Sequence, residues 1–218
     1  MERDVFLSRV RSGIGRSTIP LAAPTDPGPL IPYFPSVDLS KRFAEALETV
    51  SGTLHAGEGL DVIDRIVDRY GPGRFLAWAD GELPAPGATQ RLIDAGCDLV
   101  GHSVPVPAGE RLDHQRGYFD VKYGLTGAEA AFAETGTVVL RSGEGKPRMA
   151  SLIPLIHIVL LPADRIYRSP MHWLTRFGTE IERDANVVYI TGPSRTADIE
   201  QQLNLGVHGP RELHVVLV

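Results

Sequence analysis

The chain has 218 residues, 43% of them hydrophobic and 22% charged, with a formal net charge of −5 and a pI near 5.8. That length suits one α/β domain, or one domain with a small N-terminal addition, and lets roughly two-thirds or more of the unfolded surface be buried. The acidic balance, with no Lys/Arg run longer than two, excludes a general nucleic-acid binder. The longest uncharged run, Met149–Ala163, is shorter than the ~20 residues a membrane span needs, and it contains two prolines and a histidine. The N-terminal MERDVFLSRVRSG has no apolar signal core, so a cytoplasmic protein is expected. The single cysteine, Cys97, excludes an internal disulfide and any iron–sulfur or zinc site built from this chain's own cysteines. Its context, Ile-Asp-Ala-Gly-Cys-Asp-Leu-Val, reads as a helix end entering a strand and hence as a buried, inert thiol.

Residues 2–12 read as a short helix, with Phe6, Leu7 and Val10 at helical spacing. Residues 13–36, rich in Gly, Pro, Ser and Thr, read as an extended arm packed on the domain body or on a partner. From Asp38 the pattern alternates. Helices are expected over 38–50 (Asp38 as N-cap), 60–70 and 88–95, and strands over 53–56, 74–79 and 98–102. Such alternation argues for a parallel sheet with crossover helices. The second half reads the same way. Strands are expected over 119–123, 137–140, 155–161, 186–190 and 213–218, and helices over 126–134, 147–152 and 169–177. The run LIHIVLL at 155–161 is apolar on both faces except for His157, as in a central parallel strand.

The C-terminal thirty residues are the most informative. An apolar strand runs into Thr191-Gly192-Pro193-Ser194-Arg195-Thr196. Asp198 and Glu200 follow, then Gly206-Val207-His208-Gly209-Pro210, then the closing strand. Loops held by rigid strands are where sites reside. Gly192–Thr196 resembles a nucleophile elbow, with Thr196 in place of the last glycine. The order Ser194, Asp198, His208 does not make a triad, because Asp198 lies only four residues after Ser194. The structural alternative is Ser194 or Thr196 capping a helix whose first turn carries Asp198 and Glu200. Those carboxylates suit sugar or ribose hydroxyls, or a cation, better than a bare phosphate. His208, flanked by Val207 and Gly209, can serve as general base or ligand contact, or as a structural bridge between the two loops. The remaining histidines show no metal-ligand spacing, and His157 reads as a satisfied core residue or one pointing out of the strand end.

Two further segments carry candidates. In GLTGAEAAFAETGT, residues 124–137, a loop entering a helix at Thr126 would offer backbone N–H groups to an anion, with plain N-capping as the alternative. Glu134 would then be a carboxylate at a helix end, where the macrodipole disfavours it, and Glu134 and Thr135 become candidates for a ligand site. In Arg141–Arg148 the phosphate-loop pattern fails, since Leu140 and Pro147 stand where Gly and Ser/Thr are required. Arg141, Ser142, Lys146 and Arg148 nevertheless follow a strand and can meet a carboxylate or phosphate, a solvated loop being the alternative.

Together the AETGT of 133–137, Ser142-Gly143, Pro147-Arg148, TGPSRTADIE and GVHGP resemble the lactate-utilization (LUD) domain family, and within it the lactate utilization protein C group. The resemblance is strong over about 119–218 and loose before that. It implies a three-layer α/β/α domain with a mainly parallel sheet, similar to the sugar-phosphate isomerase and CoA-transferase group. It also implies a role in oxidising L-lactate to pyruvate beside two iron–sulfur partner proteins. Clusters are then expected on those partners and no cofactor on this chain. The expected organisation is a helix and Pro-rich arm over 1–36 and the α/β domain over 37–218. On this reading Arg141, Lys146 or Arg148 pairs with a carboxylate substrate and His208 takes a proton. A stand-alone enzyme for a sugar-phosphate or CoA-like ligand, with a basic pocket and Glu134 or Glu200 as acid/base, and a structural or regulatory subunit, stay open.

Overall fold

The computed structural model describes residues 3–14, 38–101, 117–177, 186–197, 203–205 and 208–218. The chain divides into two compact units, Met1–Ser36 and Val37–Val218. In the first, the described element is helix α1 (Arg3–Ile14), with Asp4 in its first turn and Arg11 in its last, each suiting the helix dipole. The Pro-rich arm read at 13–36 lies almost entirely outside the described residues. No described helix is long and apolar enough to cross a membrane.

The second unit is an α/β fold. Helix α2 (Leu39–Thr49) starts at Asp38, whose carboxylate accepts from the Ser40 and Lys41 N–H groups at 3.0 and 3.1 Å and so satisfies two of the orphan donors of the first turn. It buries Phe43 and Leu47. Helix α3 (Asp61–Tyr70) buries Val62, Ile63, Ile66 and Val67, a stripe at helical spacing. Its last carbonyls, on Tyr70 and Gly71, accept from the Lys122 ammonium, and Gly71 also from the Tyr123 hydroxyl. Helix α4 (Ala88–Asp94) completes the set in the first half.

These helices alternate with β1 (Thr53–His55), β2 (Arg74–Ala77) and β3 (Asp98–Gly101). With β4 (Val121–Gly127), β7 (Ile156–Leu161) and β12 (Glu212–Leu217) they form a six-stranded parallel sheet, order β1-β12-β7-β4-β2-β3. All six residues of β7 are buried, as a central parallel strand requires. The alternation of the first half and the central place of the LIHIVLL strand agree with the sequence.

The second half does not repeat that theme. β5 (Ala130–Phe132), β6 (Thr137–Ser142), β8 (Ile166–Tyr167) and β9 (Asn186–Ile190) form a separate sheet, order β8-β5-β6-β9, antiparallel at β5–β6 and β6–β9. The helix expected over 126–134 is instead the end of β4 and the whole of β5. Its alanines favour a helix locally, but Ala128, Ala130, Ala131, Phe132 and Ala133 are all buried, which leaves no solvent face for an amphipathic helix. Of the helix expected after Ser194, residues 198–202 lie outside the described residues, and the described start is extended. Arg195–Ala197 is strand β10, antiparallel to β11 (Leu203–Leu205). The helix at 147–152 is a 3-10 turn, Arg148–Ser151, and α5 (Pro170–Phe177) forms as expected.

That 3-10 turn lies directly over the parallel sheet. A side chain at Gly124 would overlap the Ala150 carbonyl oxygen and come within 2.8 Å of Pro154 Cγ. Gly124→Ala should therefore lower the unfolding free energy by about 3 kcal/mol. Gly81→Ala, where a methyl group meets nothing within 4 Å, should stay within about 0.5 kcal/mol of wild type. Urea unfolding of the two variants checks this, and equal midpoints would contradict the close approach.

Candidate functional site

The parallel register sets His157 of β7 between Gly124 of β4 and Leu213 of β12, near the amino ends of β7 and β12. Here the structure has a cleft of about 220 Å³. His157 and Leu213 line it from the sheet, Ser151 and Leu152 from the 3-10 turn, residues 189–194 from the end of β9, and residues 208–210 from the loop before β12.

The two C-terminal loops are joined here. The Ser194 N–H donates to the Pro210 carbonyl at 2.8 Å, and Gly209 approaches so closely that a Cβ would lie 3.2 Å from Ser194 Cβ. The turn itself depends on Gly192, whose φ of +87° suits glycine, and where a Cβ would press on the Val50 carbonyl. Ser194 and exposed His208 thus share one cleft.

Thr126 and Thr135 reach it indirectly. Thr126 is buried in β4, not at a helix start, and its Oγ1 lies 2.9 Å from His157 Nε2. Its placement inside a sheet removes the free backbone N–H groups expected there. Thr135 Oγ1 lies 2.7 Å from Thr137 Oγ1, which lies 2.7 Å from Thr191 Oγ1 on the cleft wall. Glu134 sits in the β5–β6 turn, exposed and paired with Arg168 at 3.1 Å, rather than at a helix end.

Arg141, Ser142 and Lys146 lie elsewhere. Ser142 pairs with Asn186 at the start of β9, and the cleft begins at the far end of that strand. The five residue-to-residue steps from Asn186 to Thr191 span ~16 Å. Arg141 and Arg165 both meet Glu129, at 3.8 and 3.3 Å, and Lys146 meets Glu82 at 3.3 Å beside the Trp78 ring. This cluster sits at the carboxyl ends of β2 and β4. Arg148, exposed, heads the 3-10 turn that brings Ser151 to the cleft. Thr196 lies on β10 opposite Asn204, and Asp198 and Glu200 fall outside the described residues.

The sequence does not single out Thr191, and it reads His157 as a satisfied core residue or one pointing out of the strand end. His157 is 1% exposed, yet its Nδ1 has no partner among the described residues. Burial pushes its pKa down to about 3. The available signal was a lone polar residue inside LIHIVLL, one strand away from a threonine. A second pair, His55 and His214, is stacked with Nε2···Nδ1 at 3.0 Å, and burial, helped by His55 and Arg69, holds His214 down at about 4.

Cys97 is buried, and burial pushes its thiol up. With one cysteine in the chain, these residues do not fit an iron–sulfur cluster. Among the described residues no group of three His, Cys, Asp or Glu is placed to hold a metal ion. What the cleft offers is the hydroxyls of Ser151, Thr191 and Ser194 and the imidazoles of buried His157 and exposed His208.

His157 and His214 also fix the pH response of the fold. Both bind a proton near pH 6.5 when unfolded but only near 3 and 4 when folded. Below about pH 6.5 the unfolded chain therefore binds more protons, and stability should fall as pH drops toward 4, by up to ~1.4 kcal/mol per pH unit for each histidine. Their contribution is fully present above that range. Urea midpoints between about pH 7.5 and 4 measure the slope. His214→Gln and His157→Gln should each flatten it by about one proton, and unchanged slopes in both would refute the assignment.

Residues 74–218 match the family described as the LUD domain. The chain is 30% identical to Lactate utilization protein C of Macrococcus caseolyticus over 72% of this chain and 67% of that protein. It is 33% identical to Lactate utilization protein C of Halalkalibacterium halodurans over 71% and 67%. Its fold is similar to the crystal structure of a DUF162 family protein from Deinococcus radiodurans, with a TM-score of 0.59, 23% identity, and coverage of 83% of this chain and 96% of that one.

Proposed function

This chain belongs to the LUD domain family, and from that premise we propose that it works in lactate utilization, as the subunit without a cluster in an iron–sulfur system that oxidises L-lactate to pyruvate. The observation that carries this reading is the run of relatives named Lactate utilization protein C, whose similarity extends over about 70% of the chain. The cleft supports it, because the loops that form it lie inside the matched residues. The three-layer arrangement of the sugar-phosphate isomerase and CoA-transferase group, the cytoplasmic location and the two iron–sulfur partners belong to the same proposal.

Oxidising L-lactate removes a pair of electrons and a pair of protons. The electrons pass to the partner proteins, since this chain has no thiolate set for a cluster. Its own residues bind the substrate and take the hydroxyl proton, while the C2–H bond breaks and its electron pair and proton leave to the partner proteins. Thr191 and Ser194 supply hydroxyl contacts, held by the Thr135–Thr137 chain and by the Pro210 carbonyl. His208, exposed at the cleft, accepts the hydroxyl proton. Of the cations read from the sequence, Arg148 is the one whose helical turn borders the cleft, and it is assigned to the substrate carboxylate.

One observation favours a second reading. Arg141, Lys146 and Arg165 gather at the carboxyl ends of parallel strands, where open α/β sheets place anionic ligands. A stand-alone enzyme for a sugar-phosphate or CoA-like ligand would use that end instead.

L-lactate oxidation with an artificial electron acceptor separates the two readings. Activity should require the chain together with both iron–sulfur proteins and should drop about 100-fold or more in His208→Ala, with the fold intact by circular dichroism. Arg141→Ala should keep most of it. Full activity in His208→Ala and Ser194→Ala would place the chemistry on the partners and end this assignment.

A further inference from the structure

His157 stands at the amino end of β7 and lines the cleft, yet it is an unusual residue for its position. Every other side chain of that strand is aliphatic, and burial of an imidazole is unfavourable unless both nitrogens are paired. Only one is. Nε2 lies 2.9 Å from Thr126 Oγ1, and Nδ1 has no partner among the described residues.

The direction of that hydrogen bond follows from counting unpaired groups. If Nε2–H donated to Thr126, both Nδ1 and the threonine O–H hydrogen would be left unpaired. If the Thr126 hydroxyl donates to Nε2, only Nδ1–H remains. The second arrangement leaves fewer groups unsatisfied, so Thr126 sets the tautomer and leaves His157 with one N–H to give. Burial keeps the ring uncharged at neutral pH. No Asp, Glu, Lys or Arg lines the described part of the cleft.

A neutral donor in an uncharged surrounding suits a carbonyl or hydroxyl oxygen. It does not suit a carboxylate, which would be buried there without an opposite charge. We propose that His157 reads the oxygen on C2 of a 2-hydroxy or 2-oxo acid, donating from Nδ1 to that oxygen while the carboxylate of the ligand points away toward the mouth. A neutral imidazole donating to a ligand carbonyl is an established arrangement in enzyme sites. The inference rests on the lactate-utilization reading for its ligand class. It adds the orientation of that ligand and the residue that discriminates it.

Discrimination is the measurable consequence. A site built to hydrogen-bond a ligand oxygen rejects the analogue that lacks it, because its own buried group is then left unpaired. The test uses the full chain alone, labelled with ¹⁵N-histidine, and two probes, pyruvate and propionate, which differ in the C2 oxygen. Wild type should bind pyruvate about tenfold or more tightly than propionate, and pyruvate should shift the His157 Nδ1 resonance. His157→Gln, which keeps an N–H donor, should retain part of the preference, and His157→Phe should lose it. Thr126→Val leaves the imidazole but frees its tautomer, and should weaken the preference with little loss of fold.

Equal binding of the two probes to wild type would overturn the proposal. So would an unchanged preference in folded His157→Phe, or no effect of pyruvate on the His157 resonance. Because the wild-type resonance is read directly, a variant that fails to fold does not spare the proposal. The readout is also separate from lactate oxidation by the complex. Loss of probe discrimination with His208-dependent activity intact removes only the role of His157. Discrimination without lactate oxidation removes only the lactate reading.

Discussion

The carbonyl oxygen of Ala150 occupies the place where a side chain on residue 124 would be. Much of the site depends on that close approach. With no Cβ at Gly124, the segment after β6 can lie flat on the middle of the parallel sheet as a 3-10 turn. It then delivers the chain through Pro154 into β7, with His157 in register beside Gly124. The same turn brings Ser151 and Leu152 to the cleft wall. One backbone contact thus positions both the floor and one side of the cleft, and it explains why a glycine stands between the buried side chains of Tyr123 and Leu125.

The opposite wall is held by a different means. The turn after β9 can pass beneath the end of α2 only because Gly192 takes a positive φ against the Val50 carbonyl. The strand hydroxyls then link this wall to the β5–β6 turn through Thr137. A hydrogen bond from Ser194 to Pro210 ties it to the loop before β12. The two C-terminal loops are therefore one structure, cross-linked at their bases. Their polar groups Thr191, Ser194 and His208 lie on the loops themselves, next to the ends of strands β9, β10 and β12 that hold those loops in place.

Legibility in the sequence followed physical lines. The first half was readable because its helices carry their own apolar period, the Phe43–Leu47 stripe capped by Asp38 and the Val62–Val67 stripe among them. The second half was misread where tertiary burial overrides local preference. GAEAAFAE has strong helix propensity, but its alanines are small enough to be enclosed on both faces, and it pairs as β5. GPSRT looks like a helix start because its residues suit caps, yet the chain turns back as β10 and β11. The convergence of Ser194 with His208 could be suspected from two glycine-bearing loops between strands. The place of Thr191 on the cleft wall and the half-paired state of His157 could not. Both depend on which residues the register sets side by side, and a sequence pattern of period two carries a face but not a neighbour.

The distribution of charge makes the last point. The cations that looked like a single anion loop are divided between the two ends of the parallel sheet. Arg141 and Lys146 are paired with Glu129 and Glu82 at the carboxyl ends of β2 and β4, and the cleft at the amino ends of β7 and β12 has no Asp, Glu, Lys or Arg in its described lining. An anion in that interior would need a countercharge that its described lining does not supply. The physics therefore favours a ligand whose polar but uncharged end goes in and whose charged end remains near water. A small hydroxy acid meets that condition in one orientation only. A phosphate ester would place its charge at the other end of the sheet, among the arginines.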